Sequence, residues 1–104
     1  MTTRKFDFQG LKECLETLNG RPVYFTLDLD VLDPSVFPGT GTPEAGGVTF
    51  DQLREAAQLV CSRADVIACD VNELSPPYDP SGISAMAACK IVREMLLAFP
   101  EKER

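Results

Sequence analysis

Asp28 and Asp30 stand two residues apart at the end of the apolar, β-branched run Pro22-Val23-Tyr24-Phe25-Thr26-Leu27, a composition that reads as a strand. The chain beyond them is not regular structure, because three prolines and four glycines fall between Pro34 and Gly47. Alternate side chains of a strand share a face, so a strand over residues 22–30 sends both carboxylates the same way, roughly 6.6 Å apart at about 3.3 Å per residue. That separation is too long for a hydrogen bond and short enough to share a pair of metal ions. A loop so rich in Pro and Gly brings backbone groups close to a ligand beside them. On spacing alone a solvated turn explains the two acids as well, since Asp and Pro are frequent where strands end. An EF-hand loop fits badly: the acids fall at 28, 30 and 33, and Leu32 takes a position where an oxygen ligand belongs. A lone D-x-D of the kind found in metal-dependent glycosyltransferases is a weaker alternative.

The remainder of the chain supplies a frame for that stretch. Asp7 is placed to cap a helix carrying Phe8, Leu11, Leu15 and Leu18 at helical spacing, with Asn19-Gly20 as its stop. Thr49-Phe50-Asp51-Gln52 has the form of a capping box, opening a helix to about Ser62 that buries Leu53, Ala56, Ala57 and Val60. Val66 to Val71 is a nearly continuous apolar run, as expected of a parallel strand covered on both faces. Strand, helix and strand then make a parallel βαβ unit with a right-handed crossover. Asp79-Pro80 reads as the start of a last helix to about Phe99, with Ile83, Met86, Ala87, Ile91, Met95 and Leu96 as core positions. Both irregular loops, Asp28 to Gly47 and Glu73 to Asp79, leave the C-terminal ends of strands, where ligands bind in open α/β folds.

Composition narrows the function. A chain of 104 residues is one small domain or a piece of one, and its formal charge of −6 argues against nucleic acid and anionic membranes and suits a cationic substrate. Cys14, Cys61, Cys69 and Cys89 form no C-x-x-C pair and sit in apolar surroundings. They read as reduced core thiols of a cytoplasmic protein. With no signal-peptide pattern and no apolar run of membrane-spanning length, nothing suggests export or membrane insertion. The ends, Met1 to Lys5 and Glu101 to Arg104, are expected to be solvated and polar.

The pattern Thr26-Leu27-Asp28-Leu29-Asp30, then Pro34, Pro38-Gly39 and Gly47, resembles the ureohydrolase signature of the arginase and agmatinase family. A second block, Asp70, Glu73, Pro76 and Asp79 with Ser84-Ala85 after it, is similar to that family's D-x-x-E-x-x-P-x-x-D stretch. The wording of both loops is nearer to the agmatinase members. The resemblance implies the C-terminal portion of a three-layer α/β/α arginase-like fold, with residues 1–104 as a single partial domain. It further implies hydrolysis of a guanidino substrate to an amine and urea by a binuclear manganese centre. Carried over residue by residue, it makes Asp28 and Asp30 metal ligands and Glu73 and Thr42 substrate contacts. Asp33 and Asp79 are better read as loop brace and helix cap, and Asp70 as support for the ligands.

The chain contains no histidine and neither a G-G-D-H nor a D-A-H-x-D block. Two carboxylates without imidazole or a third acid do not hold a hydrolytic metal pair, so the chain alone is expected to be inactive. Arginase or another guanidino-acid ureohydrolase is the alternative within the family. Outside catalysis, the alternative is an α/β interaction or assembly module, self-associating through an exposed sheet edge as a homo-oligomer.

Overall fold

The computed structural model describes residues 6–101, and the polar ends beyond them lie outside the described residues. The element order is α1 (Phe8–Thr17), β1 (Pro22–Asp28), a 3-10 turn (Leu29–Val31), α2 (Phe50–Arg63), β2 (Asp65–Asn72), a 3-10 turn (Pro76–Tyr78) and α3 (Ile83–Ala98). β1 and β2 pair in parallel, from Pro22 opposite Asp65 to Asp28 opposite Asn72, with one irregularity between Val23 and Tyr24. This is the expected strand–helix–strand unit, and the α/β fold class is borne out.

The helices start where local chemistry directs them. Asp7 accepts the Gly10 N–H at 2.8 Å and caps α1. Thr49 and Gln52 close the capping box of α2 reciprocally, at 3.1 Å and 2.9 Å. Along α2 the buried residues are Leu53, Ala57, Val60 and Cys61, and along α3 they are Ser84, Ala88, Ile91 and Met95. These two stripes meet Leu27, Leu29, Leu32 and Phe37 from β1 and the loop behind it to form the core.

Several expectations about burial are corrected. α1 keeps its apolar stripe but buries none of it fully, because it packs against α2 at the periphery. In α2, Ala56 is only half-buried, and Cys61 takes its place in the core. β2 is not covered on both faces: Ile67 is 65% exposed, and Ala68 and Cys69 also face solvent. On α3, Ile83, Met86 and Leu96 are exposed, and Ala87 is half-buried at the edge of the core. Of the four cysteines only Cys61 is buried, whereas Cys14, Cys69 and Cys89 are exposed. The described residues, two strands and three helices only 19 Å through their thinnest dimension, leave one sheet face and the outward sides of α1 and α3 without a covering layer.

Candidate metal and substrate site

The strand ends one carboxylate earlier than its composition suggests. Asp28 is the last residue of β1, and Asp30 lies in the 3-10 turn Leu29–Val31. The two therefore do not share an extended strand, and the strand-derived separation does not apply to them. The turn is closed by the Leu32 N–H donating to Leu29 O at 3.1 Å, and Leu29 itself is completely buried. Asp28 is exposed and Asp30 half-buried. Thr42 donates its hydroxyl to Asp30 Oδ2 at 2.8 Å, joining two of the three predicted site residues of the first loop directly.

That loop is closed at its base by backbone bonds. Val48 N–H donates to Val31 O at 2.8 Å and Asp33 N–H to Val48 O at 3.0 Å, which brings Leu32 beside Val48 as an isolated bridge. Gly47 passes so close that an added Cβ would lie 2.5 Å from Asp33 N and 2.6 Å from Val31 O. Asp33 is the brace it was expected to be. One of its oxygens takes the Ser35 hydroxyl and N–H, and the other takes the Gly46 and Gly47 N–H groups at 3.1 and 3.2 Å. The Ser35 hydroxyl, then its backbone N–H, hold the Asp33 carboxyl below the usual carboxylate range.

Glu73 reaches the same edge from β2. β1 ends at Asp28 and β2 at Asn72, opposite one another in register, so Glu73 leaves the sheet at the same C-terminal edge as Asp28. Glu73 is exposed and is the one described residue other than glycine with a positive φ, +82°. A residue with a side chain pays steric energy in that left-handed region, and such strain gathers at functional sites. Ser75 N–H then donates to Gly39 O at 2.7 Å, tying the second loop to the first.

Below the edge, the sheet face that carries Asp28 is polar. Asp70 accepts the hydroxyls of Thr26, at 2.6 Å, and Tyr24, and the side-chain amide of Asn72, which also donates to Thr26 Oγ1 at 3.2 Å. The Thr26, Tyr24 and Asn72 donors, in that order of strength, lower the Asp70 pKa. The same bond raises that of Tyr24.

Asp79 does not occupy the N-cap position of α3. Gly82, at φ +80°, takes it, and Asp79 works from outside, accepting the N–H and hydroxyl of both Ser81 and Ser84. Those bonds, led by the Ser81 hydroxyl, bring its pKa to about 2.

Two features of the site were not visible in the sequence. The Glu73 backbone carries no local signal, being neither Gly nor Asn. Thr40 is 3% exposed, and its hydroxyl has no hydrogen-bond partner, although it reads as an ordinary loop residue.

Among the described residues, no three His, Cys, Asp or Glu side chains gather to hold a metal ion. The carboxylate chemistry of Asp28 and Asp30 suits Mn²⁺, but the number of donors does not suffice. The residues present do not by themselves make a manganese site.

A parallel α/β unit that gathers its acids and its irregular loops at the C-terminal strand edge belongs to the open-sheet ligand-binding class. Residues 1–98 match the arginase family, and the chain belongs to that family. The agmatinase of Bacillus anthracis is 48% identical over 101 residues, 95% of this chain and 35% of that protein. The human mitochondrial guanidino acid hydrolase is 44% identical over 89 residues, 86% of this chain and 25% of its own length. The structure of proclavaminate amidino hydrolase from Streptomyces clavuligerus superposes with a TM-score of 0.79 at 36% identity, over 86% of this chain and 30% of that one. The chain thus spans about a third of the length of the agmatinase it matches.

Proposed function

We propose that these residues form the substrate-facing part of a ureohydrolase that converts a guanidino compound, agmatine first, to an amine and urea. The meeting of the two loops carries the reading: Asp28 stands opposite Asn72, Thr42 bonds Asp30, and Ser75 bonds Gly39. The identity to an agmatinase supports agmatine over other guanidino substrates.

In this reading the Glu73 carboxylate holds the planar guanidinium through paired charge-assisted hydrogen bonds. The left-handed backbone at Glu73 aims it, and Thr42 fixes the Asp30 carboxylate while bordering the substrate. Asp28 and Asp30 are ligands to a manganese pair whose other donors come from outside these 104 residues, since the chain has no histidine. When bound, such a pair supplies a water acidic enough to act as a nucleophile near neutral pH. The chain on its own is therefore inactive.

A calorimetric Mn²⁺ titration of the chain, beside Asp28→Asn with Asp30→Asn, tests this, with urea release from agmatine assayed in the same samples. Weak binding that the double variant abolishes, without urea, is expected. Tight binding of two ions accompanied by urea would overturn the claim that further donors are needed. Binding unaffected by the double variant would remove the ligand assignment.

The exposed Ile67, Met86, Leu96 and Leu97 favour a second reading, an assembly module that pairs with another copy. Sedimentation at rising concentration separates the two, since a chain that stays monomeric excludes self-association.

A further inference from the structure

Gly39 is gripped through both of its backbone polar groups. Its N–H donates to Ser84 Oγ at 2.8 Å, and its carbonyl accepts the Ser75 N–H at 2.7 Å. Ser84 Oγ in turn donates to Asp79 Oδ2 at 2.6 Å, and Ser84 N–H donates to the same oxygen at 2.8 Å. Ser84 is 1% exposed and Asp79 8% exposed. The sequence Gly39 N–H to Ser84 O–H to Asp79 carboxylate is therefore a buried relay of donors ending on a charge, in which each bond strengthens the next. No spare volume exists at the elbow, since a Cβ on Gly39 would lie 2.8 Å from both Cβ and Oγ of Ser84.

The position of this relay gives it a consequence for the site. Gly39 lies three residues before Thr42, which bonds Asp30, and Ser75 lies two residues after Glu73. The other end is anchored in α3, whose Ile91 and Met95 are in the core. The first loop is thus held to the second loop and to the start of a core helix at a single residue.

We propose that Ser84 is a positioning residue: through Gly39, with Asp79 as its anchor, it sets the placement of the Asp30–Thr42 pair relative to Glu73. This role rests on the ureohydrolase reading of the two loops. Ser84 touches neither metal nor substrate. It decides whether the metal-side and guanidinium-side carboxylates keep one separation.

The test is amide hydrogen exchange and amide chemical shifts by NMR on the full chain, for the wild type, Ser84→Ala, Ser84→Thr and Asp79→Asn. Ser84→Ala strands the Gly39 N–H. Gly39 and Ser75 are expected to exchange on the order of 10-fold faster, the loss of one buried hydrogen bond. The Thr42 and Glu73 amide signals are expected to shift, while the amides of Leu53, Ala57, Ile91 and Met95 keep their protection. Ser84→Thr retains the hydroxyl and keeps Gly39 and Ser75 closer to wild-type protection than Ser84→Ala does, although its added methyl group must be accommodated in a packed site. Asp79→Asn keeps the side-chain volume and produces a weaker version of the Ser84→Ala pattern, so the proposal remains testable if the alanine variant does not fold.

Uniform loss of protection across α2 and α3 in both variants would show Ser84 to be a packing residue only. Unmoved Thr42 and Glu73 signals would show that the relay does not reach the site. Either result overturns the proposal. Adding Mn²⁺ to the same samples keeps the two readings apart. Mn²⁺ that perturbs amides elsewhere and leaves Asp28 and Asp30 unmoved removes the metal assignment and leaves the loop coupling as measured. Independent loops with Mn²⁺ perturbation intact remove the relay alone.

Discussion

Replacing Glu73 by glycine should stabilise the protein while removing a proposed substrate contact. Glu73 has φ +82°, a conformation that costs a residue with a Cβ roughly 1–2 kcal/mol. Glycine removes that cost, but its freer unfolded chain takes back roughly 0.4–1 kcal/mol. The net gain is about 0.8 kcal/mol at the centre of a range from about 0 to 1.6, which for a domain near this size raises the melting temperature by about 3–6 °C. Glu73→Ala is the control, since it deletes the same carboxylate and keeps the strain. Urea unfolding of the three proteins, fitted with a shared slope, measures the difference. A Glu73→Gly variant no more stable than Glu73→Ala would refute the reasoning, because the positive φ would then carry no energy. The strain acquires meaning from where it sits: a backbone stabilised by glycine, yet holding glutamate, is one in which the carboxylate is what matters.

The geometry makes three further outcomes measurable. Gly47→Ala places a Cβ within 2.7 Å of backbone atoms of Val31, Leu32 and Asp33, so the loop base must open, at a cost of at least ~1–3 kcal/mol by chemical denaturation. Asp79 has its pKa lowered to about 2. Its contribution to stability is then full above the ordinary carboxylate value of about 4 and lost as pH falls toward 2. Asp79→Asn should flatten that acid limb in a pH series of melting curves. Burial pushes the Cys61 thiol up to about 11, so a thiol reagent at neutral pH should label Cys14, Cys69 and Cys89 quickly and Cys61 only on unfolding, as mass spectrometry of tryptic peptides will show.

The sequence made legible those features that neighbouring residues decide among themselves. The capping box at Thr49 and Gln52, the Asp7 cap and the Asp33 brace each involve short-range partners or a motif with one geometry. The long motif that resembles the family's singled out Thr42 as a substrate contact, whereas its bond to Asp30 became visible only in the structure. Misreadings came where a distant surface decides. Val66 to Val71 has the composition of a strand covered on both sides, but the described residues leave the face of Ala68 and Asp70 open and do not reach the rim of the other face, so Ala68, Ile67 and Cys69 are all exposed. The same holds for Met86 and Leu96 on α3. Asp30 left the strand in the 3-10 turn Leu29–Val31, closed by the Leu32 N–H on Leu29 O; alternation along Leu27, Asp28, Leu29 and Asp30 carries no sign of that backbone bond. Asp79 was displaced from the N-cap by Gly82, although its carboxylate still organises the helix start through Ser81 and Ser84.

The central claim is that Asp28 and Asp30 are metal ligands in a site completed by residues beyond this chain. It is tested most directly by grafting the chain in place of the matching segment of the Bacillus anthracis agmatinase, which is 48% identical over 101 residues. Urea release from agmatine and manganese content by elemental analysis are then measured with and without Asp28→Asn and Asp30→Asn. The account predicts an active, manganese-loaded graft whose double variant loses bound metal and more than about 100-fold of its activity, beyond what loss of a supporting residue produces. A double variant that keeps its manganese and releases urea at the parent rate would contradict it.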